Sequence, residues 1–224
     1  ATSIQERDGM KIVITDEHEY PCKSVIIATG SKHRHLGISQ EEDFIGRGVS
    51  YCAVCDGAFF RGKETAVVGG GSAALQSALY LSQFCTHVYL IVRRNVFRGE
   101  PHLVKTIEQK ENISVLYNTI VSALEGDTVL TGLTLKSTDT QTISHLPVTG
   151  LFVSIGQAPD NTAFSDILDL DAGGYISAGE DCKTSSEGIF AAGDCRSKAV
   201  RQLTTAASDG TISALAACQY IDSL

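Results

Sequence analysis

Residues 65–92, TAVVGGGSAALQSALYLSQFCTHVYLIV, decide the fold of this chain of 224 amino acids. The stretch contains no Asp, Glu, Lys or Arg, and it is longer than the ~20 residues that a membrane-spanning helix needs. Consecutive glycines and several polar side chains interrupt it, however, so a soluble arrangement explains it better. The pattern predicts a buried strand over 65–68, a glycine turn, a helix over 73–84 and a second buried strand over 88–92.

The glycine turn fits the pattern G-x-G-x-x-A, in the strand–turn–helix context that a dinucleotide-binding site requires. Gly69 permits the tight turn, Gly71 lets a pyrophosphate approach the backbone, and Ala74 allows the helix to pack closely on the sheet. The start of the helix would offer N–H groups and a partial positive charge to the phosphates. The alternative is a purely structural glycine turn. The candidate cofactor-binding residues here are Gly69, Gly70, Gly71, Ser72, Ala73 and Ala74.

Three arginines, Arg93, Arg94 and Arg98, follow the second strand of this unit. A site for NAD usually places Asp or Glu about 20 residues after the glycines, where the carboxylate binds the ribose 2′-hydroxyl. Guanidinium groups match a 2′-phosphate instead. The arginines therefore favour NADPH over NADH, and the alternative is a solvated basic turn.

Outside this stretch, short apolar runs continue to alternate with helical patterns. The predicted strands are 11–15, 24–28, 113–116, 119–125, 130–136, 142–145, 150–155 and 189–192, with a polar turn at 16–21, and the further predicted helices are 102–111 and about 203–221. Strands that alternate with helices indicate an α/β fold with a parallel sheet.

Cys52-Ala53-Val54-Cys55-Asp56 is a C-x-x-C motif followed by an acid. A zinc site usually needs four ligands, and the chain has no second C-x-x-C. Two buried structural thiols are another interpretation. In a third, the cysteines are a redox pair, because this spacing can close a small disulfide and lowers a thiol pKa. Asp56 would then protonate a thiolate as the disulfide opens, or it caps a helix; the two roles are compatible.

Composition limits the class of protein. The chain has 18 basic and 26 acidic residues, a net charge of −8 and no run of five like charges, so no nucleic-acid partner is expected. Its seven cysteines are scattered, which is not typical of a secreted disulfide framework. The six histidines show no metal-ligand spacing. We expect a soluble cytoplasmic protein with neither a membrane segment nor a metal site.

Together these motifs resemble those of the low-molecular-weight thioredoxin reductases. The matching segments keep the family's order and spacing over nearly the whole chain: residues 52–57, 69–74, 93–98, 189–194 and 201–203. The resemblance implies an α/β fold of two dinucleotide-binding domains, each three-layered and Rossmann-like. An NADPH-binding domain, 35–150, which carries the C-x-x-C motif, would be inserted into an FAD domain made of 1–34 and 151–224.

The resemblance also implies a flavin cofactor. In this family Gly193 and Asp194 close the FAD site, with Asp194 bonding to the ribityl chain. The segment Arg201-Gln202-Leu203 lies along the isoalloxazine ring. The segment Ala28-Thr29-Gly30 forms the first crossing between the FAD and NADPH domains.

The implied reaction passes electrons from NADPH to FAD, then to the Cys52–Cys55 disulfide, and finally to thioredoxin or a thioredoxin-like protein. By analogy with the family, Cys55 faces the flavin and Cys52 attacks the disulfide of thioredoxin, with Asp56 as the acid–base. The domains would rotate about a hinge between the two stages. A homodimer is implied by the family alone.

The chain also departs from the family. The family begins with its own G-x-G-x-x-G motif for FAD, and this chain contains only the later, NADPH-type motif. We therefore expect the FAD domain to be incomplete at its N-terminus. Gln76, Ser77 and Val92 differ from the residues usual at the NADPH site. Two alternatives remain: a related flavoprotein reductase of a peroxiredoxin-type partner, and a catalytically incomplete NADPH-binding fragment without a working FAD site.

Overall fold

The computed structural model describes residues 1–224, and the chain divides into two units. The first unit consists of Ala1–Lys32 and Gln157–Leu224, and the second of His33–Gly156. Two short strands, Lys32–His33 and Gln157–Ala158, pair with each other. None of the helices combines the length and the apolar character that crossing a membrane requires.

The strands are β1 (Ser3–Arg7), β2 (Met10–Ile14), β3 (Glu19–Cys22), β4 (Val25–Ile27), β5 (Lys32–His33), β6 (Val49–Ser50), β7 (Glu64–Val68), β8 (His87–Ile91), β9 (Ile113–Leu116), β10 (Thr119–Glu125), β11 (Gly132–Ser137), β12 (Ile143–Leu146), β13 (Gly150–Val153), β14 (Gln157–Ala158) and β15 (Ile189–Ala191). The helices are α1 (Ala53–Asp56), α2 (Ser72–Leu81), α3 (Pro101–Glu108) and α4 (Leu203–Asp222). Short 3-10 turns lie at Glu42–Phe44, Gly57–Phe60, Thr162–Phe164 and Gly193–Cys195.

A five-stranded parallel sheet, in the order β6-β13-β7-β8-β9, forms the centre of the second unit. The succession β7-α2-β8-α3-β9 is the strand–helix alternation that the sequence predicted, so the predicted α/β fold with a parallel sheet is confirmed. Its strands are apolar nearly throughout because helices cover one face and further strands the other. The strands run in one direction, so their carboxyl ends share one edge of the sheet.

Three layers build the second unit. Helices α2 and α3 pack on one face, where Leu75, Leu81 and Ile107 join a core with sheet residues such as Leu90. The antiparallel meander β10-β11-β12 packs on the other face and contributes Leu133 and its neighbours to a separate core. Each full burial of a Leu or Ile side chain stabilises the fold by about 1.5–3 kcal/mol.

The first unit combines an antiparallel meander, β1-β2-β3, with a parallel pair, β15-β4. Helix α4 packs on both strands of the pair. A core of its own includes Ile4, Ile27, Phe164 and Ile189. The unit is therefore held by apolar contacts distinct from the two cores of the second unit.

Two expectations from the sequence need correction here. The predicted polar turn at 16–21 is partly strand, because β3 pairs with β2 as an edge strand, and Pro21 is tolerated there. The strand β1 was not predicted, because its side chains after Ile4 are all exposed and leave no apolar alternation.

The division between the units also differs from the predicted boundaries at 34 and 150. It falls after residues 32 and 156, because β13 pairs in parallel with β7 and β6 and so belongs to the second unit. Which unit binds which dinucleotide is not decided by this division and stays a prediction.

Candidate functional site

Three predicted segments lie at the same edge of the five-stranded sheet. The C-x-x-C motif follows β6, the glycine turn follows β7, and the arginines follow β8. Since all five strands are parallel, these segments share the carboxyl edge. Ligands of open α/β sheets bind at this edge. The fold therefore collects the candidate redox pair and the candidate nucleotide site in one unit.

Cys52 and Cys55 are joined in a disulfide, with their Cα atoms 5.3 Å apart. Cys52 is the N-cap of the one-turn helix α1, and its Sγ accepts a hydrogen bond from the Cys55 backbone N–H at 3.1 Å. The carbonyl of Cys52 accepts from the Asp56 backbone N–H at 3.1 Å. Of the three interpretations left open by the sequence, a disulfide fits the redox pair, and the redox role of the two cysteines stays a prediction.

Asp56 ends helix α1, half-buried, and does not cap a helix N-terminus through its side chain. Its Oδ2 accepts a hydrogen bond from the Ser50 hydroxyl at 2.7 Å. The Ser50 oxygen in turn accepts from the Cys52 backbone N–H at 3.0 Å. A single buried hydroxyl thus connects the acid to the first cysteine.

The surface around the disulfide is accessible and partly apolar. Cys55 is exposed, whereas Cys52 is half-buried. Two apolar side chains beside the motif are largely exposed, Val54 at 63% and Phe59 at 75%. Exposed large apolar side chains at a reactive site are suited to contact with a protein partner.

A polar network precedes the motif. The Tyr51 hydroxyl donates to the buried carboxylate of Glu41 at 2.7 Å and lies 3.0 Å from His35 Nδ1. Glu41 also accepts from the backbone N–H groups of Leu36 and Gly37. Burial, and then the hydrogen bond to Glu41, raise the pKa of Tyr51 well above its usual range. Tyr51 therefore stays a neutral donor, and the network ties residues 35–41 to the strand that leads into the motif.

The glycine turn has the backbone that the sequence pattern requires. Gly69 has φ +148, and a Cβ built there would overlap the carbonyl oxygen of Ser154 and lie 2.7 Å from the Ala74 Cβ. Gly71, the N-cap of α2, has φ −96, and a Cβ there would meet nothing within 4 Å. Gly69 is thus required by the fold, whereas Gly71 borders open space. Open space at the N-terminus of a ten-residue helix fits a phosphate group.

The arginine segment, residues 93–98, is held beside the glycine turn through its backbone. The Arg98 N–H donates to the Gly70 carbonyl at 2.7 Å, and the Glu100 N–H donates to the Ser72 hydroxyl at 3.1 Å. The Arg94 carbonyl accepts from Asn118. All three arginine side chains are exposed, and none forms an ion pair. Exposed guanidinium groups without an ion-pair partner, in a segment bonded to the glycine turn, fit the 2′-phosphate of NADPH.

In the first unit, the predicted flavin segments meet at the ends of two paired strands. Ala28-Thr29-Gly30 follows β4 and Gly193-Asp194 follows β15, and the register places Ile27 beside Ala191. The Ala192 N–H donates to the Ile27 carbonyl at 2.8 Å. Gly30 has φ +71 and open space around it, so the chain turns freely there.

Two residues of the predicted flavin segments have buried polar atoms without hydrogen-bond partners. Asp194 Oδ1 and Arg201 Nε are buried and make no hydrogen bond. Native proteins rarely leave such atoms unsatisfied, so both fit a polar ligand such as the flavin. The Arg201 guanidinium also lies 4.0 Å from the ring centre of Tyr175. Gln202 and Leu203 are exposed at the start of α4, with Leu203 at 85%.

A buried ion pair fixes the Gly193 turn. Asp209 accepts from Arg196 Nε at 2.8 Å and Nη2 at 2.9 Å, from Lys198 at 2.8 Å, and from the Gly193 backbone N–H at 2.9 Å. Hydrogen bonds from Arg196 hold the pKa of Asp209 well below its usual range, against the effect of burial. The charged carboxylate therefore anchors the backbone next to Asp194.

Sequence reasoning missed Ser50, Glu41 and Asp209. Asp209 contacts residues 11 to 16 positions away in the chain, and no local motif signals such a contact. Ser50 lies two residues before the first cysteine, at the end of a short strand. This position of a polar residue was the one sequence feature that could have indicated its contact with the motif. The predicted site residues are brought together in two groups, one in each unit.

Comparison with known proteins gives close relatives for the whole chain. A family profile described as pyridine nucleotide-disulphide oxidoreductase matches residues 2–210. A thioredoxin reductase of Treponema pallidum (strain Nichols) is 42% identical over 223 residues, which cover 100% of this chain and 72% of the relative. A bifunctional thioredoxin reductase/thioredoxin of Mycobacterium leprae (strain TN) is 40% identical over 221 residues, 98% of this chain and 48% of the relative. The crystal structure of thioredoxin reductase from Streptococcus pyogenes MGAS5005 matches with a TM-score of 0.94 at 36% identity, covering 100% of this chain and 73% of that one.

Proposed function

Because this chain belongs to the pyridine nucleotide-disulphide oxidoreductase family, and within it to the thioredoxin reductases, we propose that it reduces the disulfide of a thioredoxin with electrons from NADPH. The family uses FAD and NADPH. The observation that carries the proposal is the Cys52–Cys55 disulfide, which lies with Asp56 at the same sheet edge as the glycine turn and the unpaired arginines. Each of these features has a separate task in the reaction.

The two proposed cofactor sites lie in different units of the chain. When bound, NADPH supplies a hydride and FAD passes the electron pair on to the disulfide. Residues 69–74 would bind the NADPH pyrophosphate at the start of α2, and Arg93, Arg94 and Arg98 its 2′-phosphate. In the first unit, Asp194 and the segments 28–30 and 201–203 would hold the FAD. The unpaired buried atoms of Asp194 and Arg201 support this assignment.

The reduced cysteines transfer the electron pair to the partner. The Cys52 thiolate attacks one sulfur of the partner disulfide, which breaks that bond and forms a mixed disulfide. The Cys55 thiolate then attacks Cys52 Sγ, which restores the Cys52–Cys55 disulfide and releases the second partner thiolate. Each released thiolate takes up a proton, and Asp56 is the nearby acid that can supply one. This assignment of the two cysteines follows the family resemblance.

A thioredoxin or thioredoxin-like protein is the proposed partner. One relative joins the two activities in a single bifunctional thioredoxin reductase/thioredoxin. The exposed Val54 and Phe59 beside the disulfide offer an apolar contact for such a protein. We infer no nucleic-acid partner, because the net charge is −8.

We further infer a cytoplasmic location and a homodimer. Five of the cysteines, including the exposed Cys218, are free, and free thiols persist in reducing compartments. The homodimer is inferred from the family resemblance. Cell fractionation and sedimentation velocity, respectively, test these two inferences.

The deciding experiment is an absorbance spectrum, recorded after the chain is mixed with FAD, freed of excess FAD and then given NADPH. We expect a retained yellow flavin that NADPH bleaches, and thioredoxin reduction thereafter. Cys52→Ser and Cys55→Ser should each abolish thioredoxin reduction but leave the bleaching by NADPH intact. Cys218→Ser, which changes an exposed cysteine outside the motif, is the matched control and should behave as the unmodified chain.

Two outcomes would contradict parts of the proposal. A protein that stays colourless while NADPH still binds would contradict FAD binding by this chain. Full thioredoxin reduction by Cys52→Ser would contradict the role of the cysteine pair.

A further inference from the structure

We propose that Ser50 is a positioning residue for the redox pair, whose buried hydroxyl fixes Asp56 relative to Cys52 so that the acid can exchange a proton with the cysteine sulfur. This inference rests on the proposed function, because it assumes that Asp56 is the acid. The juxtaposition behind it is the pair of hydrogen bonds that meet at Ser50 Oγ.

Ser50 belongs to the sheet, whereas the motif itself follows the strand. It is 5% exposed, ends β6 and lies beside Phe152 of β13 in the parallel register. Burial in a strand pair restricts its side chain, so the hydroxyl is a fixed point. Asp56, in contrast, ends a helix of four residues whose N-cap is Cys52, and so short a helix is not stable by itself.

The hydroxyl has one proton and two acceptors within reach. Asp56 Oδ2 lies at 2.7 Å and the Cys52 carbonyl at 3.4 Å. A hydroxyl donates a single hydrogen bond, and the shorter contact to a charged acceptor is the stronger one. The Ser50 hydroxyl therefore donates its proton to Asp56, and its oxygen accepts a hydrogen bond from the Cys52 N–H at 3.0 Å.

No other side chain holds this carboxylate. Asp56 forms no ion pair, and Ser50 provides its one side-chain hydrogen bond. Loss of the hydroxyl would leave Asp56 free to rotate, and it would leave the Cys52 N–H without its acceptor. Ser50 thus determines where the carboxylate sits relative to Cys52.

The step can be observed without flavin, by reducing the disulfide with dithiothreitol. The dithiothreitol thiolate attacks one cysteine sulfur, the Cys52–Cys55 bond breaks, and the leaving sulfur takes the proton of Asp56. The second dithiothreitol sulfur closes the ring, and its proton passes to the other cysteine sulfur as that sulfur leaves. The products are cyclic dithiothreitol, two cysteine thiols and the Asp56 carboxylate, which takes up a proton from the solvent.

The experiment measures the reduction rate from acid to alkaline pH, corrected for the thiolate fraction of dithiothreitol. Alkylation and mass spectrometry of the peptide that contains both cysteines give the rate. In the unmodified chain we expect the corrected rate to form a plateau at low pH and to fall at higher pH. Ser50→Ala should lower the plateau by about tenfold. Asp56→Asn should abolish the fall altogether.

The double variant identifies the route of the effect. If Ser50 acts through Asp56, adding Ser50→Ala to the Asp56→Asn variant should have no further effect. The pH–rate profile of the double variant should then coincide with that of Asp56→Asn alone. Ser50→Thr keeps the hydroxyl and should restore the unmodified profile, whereas Ser50→Val, of the same shape, should behave as Ser50→Ala. Ser82→Ala removes another buried hydroxyl of the same unit, which bonds only to the Leu79 carbonyl, and should change nothing.

The outcomes separate this inference from the proposed function. An Asp56→Asn profile equal to that of the unmodified chain overturns the role of Asp56, and the inference about Ser50 with it. A changed Asp56→Asn profile with an unchanged Ser50→Ala profile overturns the inference alone. Ser50→Ala could also slow the reduction by the same factor in the unmodified chain and in the Asp56→Asn variant. That result overturns the inference about Ser50, because Ser50 would then merely support the backbone.

Discussion

Asp209 shows how one buried residue can hold a turn in place, here the turn at Gly193 that we propose to contact FAD. Its carboxylate is 3% exposed and neutralised by Arg196 and Lys198. A buried charge is tolerated only when it is paired and hydrogen-bonded. The same carboxylate accepts the Gly193 N–H, and so the buried pair determines the backbone beside Asp194.

This arrangement predicts an acid-sensitive stability. Because the folded-state pKa of Asp209 is lowered, its contribution is fully present above the unfolded value of about 3.9 and is lost as the pH falls through the folded value. Asp209→Asn should lower the free energy of unfolding at neutral pH by about 3–5 kcal/mol, because the buried Arg196 would keep only the exposed carboxylate of Glu180 as its counter-charge. It should also flatten the decline below about pH 4.

Urea unfolding at a series of pH values measures both effects. Glu19→Gln changes a carboxylate in an exposed pair with Arg7 and should leave the unfolding free energy nearly unchanged. An Asp209→Asn variant as stable as the unmodified chain would show that the buried pair adds no net stability.

At the scale of elements, the turn between β7 and α2 contains one glycine that the fold requires and a second glycine whose role we propose to be NADPH binding. Gly69 joins strand to helix with a backbone that L-residues rarely adopt, against the Ser154 carbonyl. Gly71 has an ordinary backbone and open space. The sequence pattern treats the two alike, and the structure distinguishes them.

The difference predicts opposite effects of the same substitution. Gly69→Ala should destabilise the protein on the order of 3 kcal/mol through strain and overlap. Gly71→Ala should cost less than about 1 kcal/mol, yet weaken NADPH binding at least about tenfold, a loss of ~1.4 kcal/mol, because its methyl group would occupy the space proposed for the pyrophosphate. Denaturant unfolding and calorimetric titration with NADPH measure the two effects.

Gly62→Ala is the control for the energetic cost of placing an L-residue at a positive φ. Gly62 has φ +70 with open space, and it lies outside the nucleotide turn. It should cost about 1 kcal/mol without changing NADPH affinity. Unchanged NADPH affinity in Gly71→Ala would contradict the assignment of this turn to the pyrophosphate.

The elements show which parts of the fold the sequence could predict. Buried parallel strands and the helix between them carry continuous or periodic apolar patterns, so the predicted helix over 73–84 corresponds to Ser72–Leu81. Edge strands such as β1 and β3 are polar on exposed faces, and their pairing depends on neighbours rather than on local pattern. The contacts of Ser50 and Asp209 could not be predicted for the same reason, because they depend on tertiary packing.

At the scale of the whole molecule, the order of the motifs along the chain predicted more about the family and the fold than any single motif did. The family and the α/β fold predicted from them are confirmed by relatives that match the full chain. The roles of individual site residues, including the order of the two cysteines, stay predictions. Physical pattern alone could not reveal the flavin, because its candidate residues come from distant segments, 28–30, 193–194 and 201–203, and share no local motif.

The two units also predict how the molecule unfolds. Each has its own apolar core, and the proposed NADPH residues all lie in His33–Gly156. We therefore expect two unfolding transitions in calorimetry, and we expect NADPH to raise the Tm of only one of them. At a concentration of 100 times the dissociation constant, a ligand adds about 2.7 kcal/mol, which is roughly 5–10 °C in Tm for a unit of this size.

Hydrogen exchange measured on peptides from each unit assigns the transitions, since only amides of His33–Gly156 should gain protection from NADPH. NADH lacks the 2′-phosphate and should raise the transition less. Replacing Arg93 and Arg94 together with Ala should bring the shift with NADPH down to that with NADH, because the two exposed guanidinium groups have no other ionic partner. A single transition that moves as a whole would mean that the two cores unfold together. A shift confined to the first unit would place NADPH away from the glycine turn and contradict the division of cofactors between the units.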